Sequence, residues 1–215
     1  FCCLFPMVLA MLAPVKPWSR LFARGFAVTV KKTPNPASRM YFPQGHAVLG
    51  DELPPMKFVD KYECDDSKLA AAILKVRGVQ EVLLGASHVT VTKSERADWE
   101  LLSSNVQTVV DQFFTAGLPP VEEGVTPPPP QGGDDDDPLI VQIKDLLKEY
   151  IQPLVQEDGG DILYHSFDAE SGVLWVDMRG SCDGCPSSTG TLKDAVLRLL
   201  AHHLPEVQDV KAIAA

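Results

Sequence analysis

Cysteine is scarce in this chain, with five among 215 residues. Cys2 and Cys3 are adjacent, Cys64 stands alone, and only Cys182 and Cys185 form a spaced pair. That is too few, and too unevenly placed, for a small domain stapled by disulfides. Long apolar runs are missing as well. The stretch FCCLFPMVLAMLAPV is shorter than the ~20 residues that cross a bilayer and is broken by Pro6 and Pro14, so no membrane span is expected. The chain also lacks a basic surplus. Its formal net charge is −10, and no patch resembles a phosphate-tracking surface, which argues against nucleic acid as a partner.

The charge that is present is unevenly spread. Residues 1–50 carry +6 and no acid, residues 51–138 carry −10, and the remainder −6. The opening segment continues as WSRLFARGFAV, rich in arginine and large apolar residues. This composition predicts a mitochondrial targeting segment over 1–26. A secretory signal would place its positive charges before the apolar run; here they follow it.

Between Gly117 and Pro138 the chain reads GLPPVEEGVTPPPPQGGDDDDP. Consecutive prolines favour extended geometry, the glycines loosen it, and the aspartates repel one another. A flexible linker over 118–138 follows, separating a domain at 27–117 from one at 139–215. The expected fold class is α+β, as two small mixed domains.

In the first domain FAVTVKK and RMYFP read as strands, and Ser67–Val76 as a helix with Leu69, Ala72, Ile73 and Val76 inward. GVQEVLLG and SHVTVTK read as paired strands turning at Gly85–Ser87. Asp98 through Ala116 forms a helix with a stripe of Leu101, Leu102, Val106, Val109, Val110, Phe113 and Phe114. No compact set of titratable groups there suggests catalysis. A lone Cys64 fits a buried small hydrophobe or a bland surface thiol. In the second domain Leu139–Leu154 presents Ile140, Ile143, Leu147, Ile151 and Leu154, and Pro153 with EDGGD ends it. Strands follow at Asp161–Phe167 and Val173–Met178, then a helix carrying Leu192 to Leu200, and a last strand in VQDVKAI. The order is helix–strand–strand–helix–strand. About 77 residues is small for an independent core, so help from a metal or a partner is in keeping.

GSCDGCP carries the chemistry. Gly180 and Gly184 allow backbone conformations closed to other residues, Pro186 can open the next helix, and Ser187 or Ser188 can cap it. Thiols near a helix N-terminus are expected to have lowered pKa values. Two thiols could form a thioredoxin-like redox pair, but the strand order around them is not βαβ. Zinc and the common iron–sulfur clusters want four ligands, and no third cysteine lies in this domain. His202 and His203 sit about 25 Å along the helix, and His165 reads as a partly exposed strand residue. Two copies of the chain would complete an all-thiolate site around a twofold axis. Spacing alone leaves iron–sulfur and zinc open, and with them a zinc-stapled adaptor dimer. DGGD reads as a tight turn whose carboxylates bond backbone N–H groups, and Asp183 as solvent-facing.

The second domain resembles the Nfu-type iron–sulfur cluster scaffold domain, the C-terminal domain of NifU. Pro153 with Asp158, Gly159, Gly160 and Asp161 carries one part of the likeness. Gly180, Cys182, Cys185, Pro186, Ser188, Thr191 and Leu192 carry the other. The first domain is similar to the N-terminal domain of mitochondrial Nfu proteins through TPNPAS, RMYFPQG, GVQEVLLGASHVTVTK and ADWELLSSNVQTVVDQFFTAGLP. Arg39 and Met40 stand where many relatives have Leu-Lys. The resemblance implies that Cys182 and Cys185 of two chains share a [4Fe-4S] cluster in the mitochondrial matrix. The chain would be a carrier rather than an enzyme. Its partners would be a second copy of itself, iron–sulfur assembly proteins and recipient apo-proteins such as lipoyl synthase or respiratory-chain subunits. The first domain and linker would raise the local concentration of a client or assembly partner. A thiol–disulfide oxidoreductase using the Cys182/Cys185 pair is the alternative.

Overall fold

The computed structural model describes residues 28–51, 53–60, 62, 64–122, 124–125, 137–185, 190 and 192–213. The expected targeting segment, most of the linker, and the Pro186–Ser188 cap lie outside the described residues. Two sheets, each with its own core, make an α+β fold.

The first sheet contains β1 (Val28–Lys32), β2 (Ser38–Pro43), β3 (Met56–Phe58), β4 (Val79–Leu84) and β5 (Val89–Lys93). Its order is β1-β2-β5-β4-β3, antiparallel throughout. Helices α1 (Lys68–Leu74) and α2 (Trp99–Thr115) cover one face. Alternation places Tyr41, Val82, Leu84, Val89 and Val91 beneath them, with Leu69, Ile73, Val106 and Val110 opposite. Cys64 is buried in this core, the small-hydrophobe reading of the two expected rather than the surface thiol. Leu101 departs from the expected stripe and lies exposed.

Both helices begin on a polar cap. Ser67 Oγ accepts from Ala70 N, and Asp98 Oδ1 accepts from Glu100 N. Ser67 Oγ also donates to Pro120 O at 2.6 Å. With Glu122 N bonded to Asp66 O, this pins the chain after α2 to the first domain.

The second domain opens with α3 (Pro138–Leu146), capped by Asp137, whose carboxylate accepts from Leu139 N. A π-helical turn, Leu147–Ile151, connects it to α4 (Gln152–Glu157). Proline lacks an N–H and its ring crowds the carbonyl four residues earlier. A widened turn just before Pro153, closed by Gln152 N–H to Leu147 O, makes room for it, so the helix continues past the proline. The extra residue also shifts the buried stripe by one: Val155 is buried and Leu154 is 63% exposed. Then come β6 (Gly160–Asp168), β7 (Val173–Gly180), α5 (Lys193–His203) and β8 (Asp209–Ala212). β6 and β7 are antiparallel, and β8 runs parallel to β7.

Candidate functional site

β7 alternates cleanly, with Leu174, Val176 and Met178 inward. It ends at Gly180, whose φ of 61° suits glycine. Cys182 N bonds Arg179 O and Asp183 N bonds Gly180 O, closing a turn that carries both cysteines past Gly184. The DGGD segment folds against this turn. Ser181 N reaches Gly159 O at 3.1 Å, and Ser181 Oγ donates to Asp158 O at 2.6 Å. Gly160 faces Gly180 across the β6–β7 ladder. A Cβ on Gly160 would collide with the Cys182 sulfur. DGGD therefore makes a turn, as its composition predicts, and also seats a thiol.

Cys182 and Cys185 are 7% and 4% exposed, and none of Cys64, Cys182 and Cys185 is in a disulfide. Burial pushes the Cys182 thiol up to about 12, against a hydrogen bond with Ser181 that favours the thiolate. The lowering expected of a thiol near a helix terminus is not found at Cys182, where loss of water on burial raises the thiol. Asp161 is fully buried, and burial raises its carboxyl to about 6. Gln156 Nε2 donates to its Oδ1 at 3.2 Å, and Oδ2 has no hydrogen-bond partner. Among the described residues no group of three or more His, Cys, Asp or Glu forms a metal cluster. His202 and His203 are exposed at the far end of α5, where Tyr150 stacks on His203.

The first domain contributes to this site. The outer face of its sheet, opposite α1 and α2, carries a cross-strand row of Met40, Thr90, Leu83 and Lys57 from β2, β5, β4 and β3. Glu81 lies on the same face as Leu83. Its Oε1 accepts from Gly180 N at 2.8 Å, and Lys57 Nζ lies 3.2 Å from Oε2. Lys57 also reaches Asp183 Oδ2 at 3.4 Å, and Asn35 Nδ2 donates to Asp183 O at 2.9 Å. Asp183 thus faces a lysine of the other domain, which corrects the expectation that it faces solvent. Burial alone would lower Lys57, but Glu81 and Asp183 together leave its pKa raised. Burial keeps Glu81 above the usual carboxylate range despite Lys57 and the Gly180 N–H.

Sequence reasoning singled out both cysteines and placed Gly160 in a turn; it missed the close approach of Gly160 to Cys182 and the contributions of Glu81, Lys57 and Asn35. One signal for the interface was available. VQEVLLG is apolar at successive positions rather than alternate ones, the mark of a strand buried on both faces.

Two families match. The NifU-like domain matches residues 143–211, and the N-terminal domain described as "Scaffold protein Nfu/NifU N terminal" matches residues 28–117. A mitochondrial NFU1 iron–sulfur cluster scaffold homolog of Homo sapiens is 37% identical over 98% of this chain and 78% of its own length. The protein of the same description from Drosophila ananassae is 38% identical over 89% of this chain, which spans 65% of that relative. A solution NMR structure of a NifU-like protein from Saccharomyces cerevisiae, 17% identical, superposes with a TM-score of 0.42 over 46% of this chain and 87% of that one. The chain belongs to the family of mitochondrial Nfu-type iron–sulfur cluster scaffold proteins.

Proposed function

We propose that Cys182 and Cys185 are the thiolate ligands of a [4Fe-4S] cluster shared by two copies of the chain. The cluster is cargo, passed on to mitochondrial apo-proteins such as lipoyl synthase and respiratory-chain subunits. One observation carries this reading. Two soft donors, joined by no disulfide, stand on a glycine-bounded turn, with Gly160 leaving space for the Cys182 sulfur. Two thiolates are half of the four that such a cluster takes, and a twofold pairing supplies the rest. The turn is short and lies at the end of a strand, so once uncovered its thiolates can be exchanged stepwise for those of a recipient.

Anaerobic reconstitution with iron and sulfide tests the proposal. About four irons and four sulfides per two chains are expected, with a dimeric mass, and loss of both after Cys182→Ser or Cys185→Ser. Loaded material that is strictly monomeric, or that keeps its iron and sulfide in the double serine variant, would refute it.

A further inference from the structure

The outer face of the first domain's sheet has a ligand in this structure, and that ligand is the cysteine turn. Met40 and Leu83 are buried, yet they belong to neither domain's own apolar core. What covers them is the glycine backbone of the second domain. A Cβ on Gly159 would lie 2.6 Å from Met40 Cγ and 2.8 Å from Thr90 Oγ1, and one on Gly180 would lie 2.6 Å from Leu83 Cδ2. Both glycines hold left-handed φ angles, 79° and 61°, so a side chain at either would be strained as well as blocked.

The polar contacts match this fit. Glu81 is a carboxylate only 6% exposed on a sheet face, a placement that costs free energy unless its oxygens are paired. One oxygen takes Lys57 from its own domain, and the other takes the Gly180 N–H from across the interface. Lys57 then bridges to Asp183, and Asn35 holds the Asp183 carbonyl. Three polar groups of the first domain, Glu81, Lys57 and Asn35, therefore read the backbone and the one acid of the GSCDG turn.

We propose that this face is a docking surface for the cysteine turn of its own chain, a clasp that holds the turn bearing Cys182 and Cys185 and opens before two chains can share a cluster. A second copy has to bring its cysteines to the same turn, whose flank at Gly180 and Asp183 the first domain already occupies; Cys182 and Cys185 are 7% and 4% exposed there, with Cys182 also packed in the second domain's own core. The docking stands on the contacts alone; its consequence for loading rests on the shared-cluster reading above. In the docked chain the first domain acts as a thiol guard, a role distinct from client recruitment.

The test uses the full apo chain with Lys57→Ala and, separately, Glu81→Ala. Maleimide labelling is followed by peptide mass at Cys182, Cys185 and Cys64. Cys64 is 5% exposed in the first domain's own core, so its rate reports unfolding of that domain. Variants whose Cys64 rate matches wild type are compared; Lys57→Ala, on the short edge strand β3, supplies a milder change should Glu81→Ala unfold. Loss of one charge-assisted bond across the clasp should raise labelling at Cys182 and Cys185 by about tenfold. Iron and sulfide uptake should accelerate in the same order. Unchanged labelling in both variants overturns the clasp. Faster labelling with an unchanged rate of loading overturns the gating. Faster labelling with no iron and sulfide uptake by any variant or by wild type leaves the clasp standing and removes the shared-cluster reading instead.

Discussion

Replacing Gly160 with alanine tests the seat of the thiol with one methyl group. The added Cβ would collide with the Cys182 sulfur and lie 3.1 Å from Cys182 N and 3.2 Å from Cys182 Cβ. Neither partner can yield freely, since Gly160 is paired with Gly180 and Ser181 is bonded to Asp158 and Gly159. Overpacking of this kind costs about 1–3 kcal/mol. Gly117→Ala, outside the cysteine turn, is the matched control. Its φ is 68° and nothing lies within 4 Å of its Cβ, so it meets backbone strain alone, about 1–2 kcal/mol. The two variants should therefore lose comparable stability in urea unfolding and differ in cluster retention. Metal–thiolate bonds are about 2.3 Å long and tolerate changes of about 0.2 Å. A sulfur displaced by about 1 Å falls outside that range, so Gly160→Ala should hold little iron and sulfide after desalting while Gly117→Ala holds the wild-type amount. Equal retention by the two would refute the seat.

Burial, with Lys31 adding repulsion, lowers His88 to about 4, below the ~6.5 of an unfolded histidine. Between those values the unfolded chain binds more protons, so stability falls as the pH drops from about 6.5 towards 4, by up to about 1.4 kcal/mol per unit and about 3 kcal/mol in all. Unfolding curves of wild type and His88→Gln should converge towards pH 4; parallel curves would refute this. Ser67→Ala removes both the cap of α1 and the bond to Pro120 O. It should cost about 1–2 kcal/mol and make the chain around Pro120 more readily cleaved by protease; an unchanged urea midpoint would refute it.

Most elements could be read directly from hydrophobic period. β1, β2, β4, β5, β6 and β7 follow runs of alternating or β-branched residues, and α1, α2 and α5 follow apolar stripes. β3 escaped because Met56–Phe58 is three residues long and follows two prolines, too short for a period to register. The π turn escaped because a stripe is counted at one fixed period. Ile140, Ile143, Leu147 and Ile151 fit that period, and the next buried position then moves from Leu154 to Val155. The signal for it was Pro153 within an otherwise continuous helical stripe.

The site divides in the same way. Cys182 and Cys185 are visible as a motif because metal and redox chemistry constrain their local spacing, and DGGD is visible as a turn because its residues are turn formers. What each glycine accommodates is another matter, since it depends on partners far along the chain. Gly180 donates to a residue 99 positions earlier, and the Asp183 carboxylate meets one 126 positions earlier. No window of sequence contains both ends of such a contact. The residue types still leave a trace of it. A glutamate and two leucines interleaved in VQEVLL make a poor solvent-facing strand and a poor core strand, and only a second layer with its own polar groups accounts for both. The GSCDG turn supplies a backbone N–H for the glutamate and a bare glycine surface for Leu83. Each half of the interface therefore explains a local irregularity in the other.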